Sequence, residues 1–271
     1  MKKIQVLVAT VNQRNFSLAE KMNIRCDTVI ANQSDSDEIQ TKSFPYGNIK
    51  MITTSSKGVG KNRNIALEAA TEEIVLFADD DVKYNDDMPE QVYKAFQQNP
   101  DADIIIFSMD YTRNGELIEQ RHLENKRRNL HNSMRFGAVS IAARADKLQK
   151  KNIIFNENFG GGCKYCTGED SIFLSDCFRK KLHVYSNEYV LGECSRDSSS
   201  WFEGCDEKYF YDKGALMRFL FPKFKYIMTM YFAINFKKET DISLPGRVKL
   251  MYEGLRNSRK MITYSECSKI K

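Results

Sequence analysis

The sequence predicts an α/β protein with a mostly parallel central sheet flanked by helices. Two observations carry that expectation. Short apolar runs rich in β-branched residues alternate with helical segments over short connections, the pattern of parallel strands joined by crossovers. The run Ile74-Val75-Leu76-Phe77-Ala78 also has no polar side chain, which suits a strand covered on both faces, and it passes directly into Asp79-Asp80-Asp81.

Taken in order, Lys3 to Ala9 forms the first strand, with Thr10-Val11-Asn12 at its carboxyl end, and a helix follows through Phe16 to Met22. A second strand, Thr28 to Ala31, closes on the polar loop Asn32 to Asp37, and Ile49 to Thr53 makes a third short strand. Thr54 to Lys61 reads as a loop before a helix from Asn62 to Ala70, and the strand Glu73 to Ala78 comes next. Met88 to Gln98 is an amphipathic helix opened near Pro89 and closed by Pro100. Asp103 to Met109 is apolar and strand-like, Tyr111 to Gly115 a turn, Gly137 to Ala143 again strand-like, and Asp146 to Lys151 a short helix. No linker rich in Pro, Gly or Ser interrupts this series. Residues 1–205 therefore read as one domain and residues 206–271 as a basic, aromatic helical extension.

Composition narrows the classes. A chain of 271 residues buries a full core, and 42% apolar with 28% charged residues is near globular averages, which excludes disorder and a polytopic membrane protein. The formal charge of +5 suits anionic partners such as nucleotides or lipid head groups, but is too small and too dispersed to make nucleic acid an expected partner. The apolar stretch after Lys2-Lys3 is too short for a signal peptide, and the seven cysteines are an odd set, so reduced thiols in the cytoplasm are expected. Cys163 and Cys166 form a Cys-x-x-Cys pair, yet no second Cys or His pair at familiar spacing completes a zinc tetrahedron.

Three stretches carry chemistry. Adjacent aspartates repel one another; at the carboxyl end of a central strand Asp79-Asp80-Asp81 would form a metal and phosphate station, whereas an isolated triplet more often marks a solvated turn. Gly58-Val59-Gly60-Lys61 fails the P-loop pattern at Ser55 and Asn62, and fails the dinucleotide fingerprint at Arg63. What remains is a turn into a helix start bearing Lys61 and Arg63, which suits either an anionic nucleotide or a solvated basic turn. In the third stretch, Gly160-Gly161-Gly162 lets backbone approach a ligand, and Gly168 precedes a helix beginning Glu169-Asp170. Carboxylates in a first helical turn complement the helix dipole, and they could equally present a general base to a bound acceptor.

In these residues the chain resembles the inverting nucleotide-sugar glycosyltransferases of family 2, which have the GT-A fold. The likeness runs over some two thirds of the sequence, from Thr10-Val11-Asn12 through Gly58 to Asn64 and the aspartates to Gly168-Glu169-Asp170, and Ser198-Ser199-Ser200-Trp201-Phe202 resembles the tail segment of capsule or O-antigen type members. The resemblance implies a nucleotide-sugar donor, held by Thr10, Asn12 and Asn32 around base and ribose, by Arg63, and by Asp79 and Asp80. It implies Mn²⁺ or Mg²⁺ on Asp81, with Asp170 as the general base and Glu169 orienting a glycan or lipid-linked glycan acceptor. Two departures stand out. Where many members carry a His, this chain reads Val190-Leu191-Gly192-Glu193-Cys194, with Glu193 as a substitute ligand to consider; and Asn32 and Gln33 stand where acids are usual, which leaves base selectivity open.

From Gly214 onward aromatic and aliphatic residues are interleaved with Arg218, Lys223 and Lys225, and Pro222 breaks the run. Such a segment is no clean membrane span. It suits either an amphipathic surface in peripheral contact with the inner face of an anionic membrane or an ordinary helical cap on the sheet.

Overall fold

The computed structural model describes residues 3–197, 204–237 and 239–270; the Ser198 to Phe202 segment thus lies outside the described residues. In chain order the first half comprises β1 (Ile4–Val11), α1 (Ser17–Lys21), β2 (Asp27–Gln33), β3 (Glu38–Phe44), β4 (Gly47–Thr54), α2 (Val59–Glu68), β5 (Ile74–Asp79), β6 (Val82–Tyr84) and α3 (Met88–Gln98). The second half comprises β7 (Ile104–Arg113), β8 (Glu116–Arg121), β9 (Lys126–Arg127), α4 (Leu130–Ser133), β10 (Ile141–Arg144), α5 (Ala145–Lys150), α6 (Glu169–Arg179) and β11 (Val184–Ser195), followed by α7 (Glu207–Leu220), α8 (Lys225–Ile234), α9 (Leu244–Asn257) and α10 (Tyr264–Ile270).

The strands form one sheet in the order β3-β4-β2-β1-β5-β10-β7-β11-β6. Strands β4, β2, β1 and β5 are mutually parallel, and β7 is parallel to β11. At the centre β10, antiparallel to both β5 and β7, interrupts the common direction. Central strands are apolar on both sides because both sides are covered: Val6, Val8, Leu76 and Ala78 enter one core with α1 and α3, while Leu7, Val75 and Phe77 enter the other with α2, α5 and α6.

Several boundaries differ from the sequence reading, each for a local reason. Helix α2 begins at Val59 rather than Asn62, because the Gly58 carbonyl already accepts the Asn62 N–H at 3.1 Å. Strand β7 continues through Tyr111 to Arg113, and the turn is confined to Asn114-Gly115, both at positive φ, which joins β7 to β8 as a hairpin. The segment from Gly137 is first a 3-10 turn over Ala138–Ser140 and becomes strand only at Ile141. Strand β3 has no counterpart in the sequence reading because it is an edge strand whose residues are nearly all exposed, so no apolar period marks it.

An aromatic trio seats α6 against the sheet. Phe77 of β5, Phe155 and Phe173 of α6 have ring centroids 4.3 to 5.5 Å apart, and all three are fully buried. Truncating any one would cost about 3–5 kcal/mol. The C-terminal helices have their own apolar contacts, with Tyr211, Ala215 and Leu216 of α7 packed around Phe159, Tyr165 and Ile172. Among the described residues, no helix is long and apolar enough to cross a membrane.

Candidate active site

Register brings the strand ends together. Ala9 of β1 lies beside Asp79 of β5, and Thr10 and Val11 lie beside Asn32 and Gln33 of β2. Asn62, in the first turn of α2, ties that helix to both strands by donating its amide hydrogens to the carbonyls of Thr10 (3.0 Å) and Ala31 (2.9 Å). A cleft of about 530 Å³ opens over these ends, lined by Thr10, Gln33, Arg63, Asp79, Asp80 and Asp81 among others. This is the carboxyl edge at which open α/β sheets take their ligands.

A second lobe of about 390 Å³ adjoins it, lined by Tyr111, Arg121, Gly137 and Asp170 among others. Asp79, Glu169, Cys194 and Arg196 border both lobes. Asp81 lines only the first and Asp170 only the second.

Arg63 is the hinge of that shared wall. Its side chain is 3% exposed, and its Nη2 donates to both oxygens of Asp79 at 2.8 and 2.9 Å while Nη1 donates to Asp170 at 2.8 Å and to Glu169 at 3.3 Å. Phe155 of the aromatic trio supports the guanidinium from 5.2 Å. Burial pulls the guanidinium's pKa down, but Asp79, Asp170 and Glu169 together push it further up, so its charge is permanent. Arg63, expected at the nucleotide, does line the first lobe, and its terminal nitrogens are bonded to carboxylates.

One guanidinium cannot balance three carboxylates. Burial, Glu169 and Asp79 outweigh the pull of Arg63 and push the Asp170 carboxyl up to about 7, even though the Ala138 backbone N–H bonds to it. Asp81 is likewise pushed up to about 7, first by desolvation of its carboxyl against the cleft wall and then by Asp79 and Asp80. Each is therefore poised to gain from a cation or to exchange a proton near neutral pH.

The helix start that carries Asp170 depends on glycine. Gly168 has φ 119°, and a Cβ there would meet Leu216 of α7 at 2.5 Å. Gly160 has φ 103°, and a Cβ would meet Glu169 Cδ at 2.7 Å. An L side chain at either place is strained by backbone conformation and by contact alike.

The remaining sequence-predicted residues divide. Thr10 donates its hydroxyl to Asp80 and accepts from Gln13 Nε2 at 3.1 Å, so Thr10 and Asp80 form one polar chain in the cleft. Asn32 does not line the cleft. It is fully buried, its oxygen accepting the Gln13 N–H at 2.8 Å and its amide donating to the Gln13 carbonyl and the Thr53 hydroxyl, so its polar atoms hold the loop after β1 instead. Asn12, at φ 56°, is exposed and is not among the cleft residues either; its N–H donates to the Gln33 carbonyl at 2.8 Å. Glu193 points away, paired at 4.0 Å with Lys83 in a separate depression, because neighbours on a strand face opposite sides. Cys194 faces the cleft in its place, with Sγ 3.6 Å from Asp81 Oδ1. Gln33 and Cys194, each beside a residue that the sequence singled out, line the cleft, and Arg196, Tyr111 and Arg121 are cleft residues outside every motif in the sequence. Arg121 and Arg196 stack on the Tyr111 ring at 4.8 and 4.0 Å and share Glu119, a juxtaposition with no signal in local sequence.

A metal would find no preformed cage: among the described residues no group of three His, Cys, Asp or Glu side chains could hold one, and Cys163 and Cys166 are free thiols. The donor set nevertheless fits Mg²⁺ or Mn²⁺. These hard cations are held by one or two carboxylates together with substrate phosphates and water, and Asp81 offers carboxylate oxygen in the open lobe.

Helices on both faces of a mostly parallel sheet, with acids gathered over its carboxyl edge, match the GT-A fold, and the family model identifies a glycosyltransferase. The chain belongs to glycosyl transferase family 2, whose family model matches residues 11–156, more than half of its length. No curated protein matches it. Among solved structures it is similar to S. aureus TarS. The crystal structure of TarS 1-349 shares 17% identity at a TM-score of 0.59, over 100% of this chain and 75% of that one. The complex of TarS 1-349 with UDP-GlcNAc shares 18% at 0.61, over 100% and 76%. A crystal structure of TarS in a longer form shares 19% at 0.59, over 98% of this chain and 44% of that one. At such identity the likeness establishes the fold.

Proposed function

We propose that this glycosyltransferase moves a sugar, with inversion, from a nucleotide-diphosphate donor of the UDP-sugar type to a hydroxyl of a glycan or lipid-linked glycan, in surface polysaccharide synthesis of the capsule or O-antigen kind. The observation that carries the reading is the pair of lobes sharing Asp79 and Glu169, both bonded to Arg63, with Asp81 in one lobe and Asp170 in the other. The complexes of TarS with UDP-GlcNAc and with UDP support the choice of donor.

In this reading Thr10, Gln33 and Asp80 hold the nucleotide in the first lobe. Asp170 removes the proton from the acceptor hydroxyl in the second lobe. The hydroxyl oxygen bonds to the anomeric carbon as the bond to the diphosphate oxygen breaks, and the nucleoside diphosphate leaves with the electron pair. Base and leaving group lie on opposite sides of the carbon, which inverts its configuration. Mn²⁺ or Mg²⁺ on Asp81 would supply positive charge to the leaving diphosphate. Arg63 fixes Asp79, Glu169 and Asp170 in one frame and borders the nucleotide in the first lobe. Residues 1–205 form the transferase unit, and residues 206–271 support the loop that carries the base, as the contact of Leu216 with Gly168 suits.

The test is product analysis across a panel of nucleotide sugars, first ranked by thermal shift with and without Mn²⁺. Release of nucleoside diphosphate from a UDP-sugar is expected. Release of pyrophosphate would make the chain a nucleotidyltransferase instead.

A further inference from the structure

Among the described residues, the exposed large apolar side chains concentrate on one element. Phe224, Tyr226, Ile227, Met230, Tyr231 and Ile234 all lie on α8 or its cap, with Ile227 69% and Tyr231 59% exposed. The spacing 227, 230, 231, 234 places four of them along a single stripe. The opposite face of the helix is already used: Thr229 and Ala233 are fully buried, and Met228 and Phe232 pack with Met217 of α7 and Met251 of α9. An apolar stripe left outside a helix whose inner face is satisfied has no role in the fold of this chain, and its cost in water calls for an apolar occupant.

The charges that flank α8 in the chain have one sign: from Phe221 through Lys238 the sequence contains four Lys and no Asp or Glu. Lys223 precedes α8 and Lys237 follows it, both exposed, and Lys225 lies over the Tyr226 ring at 5.1 Å. A second copy of this chain docked through the same face would set these lysines against their own counterparts across the two-fold axis. Anionic head groups would neutralise them, while the acyl boundary takes the aliphatic side chains and the tyrosines sit at the polar level.

We propose that the outer face of α8 docks in the plane of an anionic lipid bilayer. The helix lies on the surface rather than crossing it. This inference goes beyond the sugar-transfer reading and does not depend on which donor or acceptor is used.

The experiment is sedimentation of the full chain with vesicles of phosphatidylcholine mixed with phosphatidylglycerol, and with phosphatidylcholine alone. The chain should partition onto the mixed vesicles. Partition should fall about tenfold in Ile227→Ser combined with Tyr231→Ser, and comparably in high salt. Thermal unfolding and hydrolysis of a nucleotide-sugar donor should be unchanged in that variant, which separates failure of this proposal from failure of the transfer reading. Should the serine variant not fold, Lys223→Glu combined with Lys225→Glu must show the same loss. A chain that stays in the supernatant with both vesicles, or a serine variant that sediments like the parent, overturns the proposal. So does a dimer in light scattering that the serine variant dissociates, which would assign the face to a second copy.

Discussion

Arg63 and Asp170, 107 residues apart in sequence, meet at 2.8 Å through Nη1 and Oδ1, and the other terminal nitrogen of the same guanidinium grips Asp79. A single buried cation thus holds the acid at the end of β5 and the acids at the start of α6 in one rigid frame. The two lobes of the cleft keep their mutual position through this contact.

Arg63→Met would leave three carboxylates facing one another in a buried wall. Removing one partner of such a network typically costs about 3–5 kcal/mol, which urea denaturation would measure. Arg63→Lys should recover only part of it, because an ammonium cannot reproduce the forked contact with Asp79.

Asp170→Asn retains shape and removes the base. Turnover should fall by about 10²- to 10⁴-fold, while titration calorimetry with UDP shows donor-lobe affinity unchanged. Equal loss of both would make Asp170 a structural residue.

The raised pKa of Asp170 sets the pH profile. A base must be ionised, so kcat/KM, which reports the free enzyme, should climb with pH through about 7 and then level off. Stability runs the other way. Because the carboxyl keeps its proton in the folded chain to higher pH than its ordinary value of 3.8, its contribution is full below 3.8 and is lost as pH rises through about 7. Melting temperatures followed over that window should decline less steeply in Asp170→Asn.

Asp81→Asn should abolish the gain in UDP affinity produced by Mn²⁺ and leave metal-free affinity nearly intact. Calorimetry with and without a chelator reads both. If chelation changes nothing in the parent protein, the metal reading of Asp81 fails.

Gly168→Ala should destabilise by about 1–3 kcal/mol through its left-handed backbone alone, with more added by the collision with Leu216. Leu216→Ala alone should cost about 2–5 kcal/mol as a cavity, so the collision part is read by thermal unfolding as the amount by which the double variant loses less than the sum of the two single changes.

Much of this was legible from residue order. The central strands announced themselves as apolar runs because both faces of the sheet are covered, and the same runs ending in Asp79-Asp80-Asp81 and the helix opening at Glu169-Asp170 marked where ligand chemistry would gather. Those signals are local: backbone period, chain reversal and the clash of neighbouring charges all act within a few residues. Tertiary packing decided the rest. It made Arg63 the tie between distant carboxylates, sank Asn32 into a loop anchor, and turned Cys194 rather than Glu193 to the cleft through strand alternation whose phase only the sheet sets. Partners more than a hundred residues apart are selected by which strand ends adjoin and which helix faces are covered, and no local pattern encodes that choice.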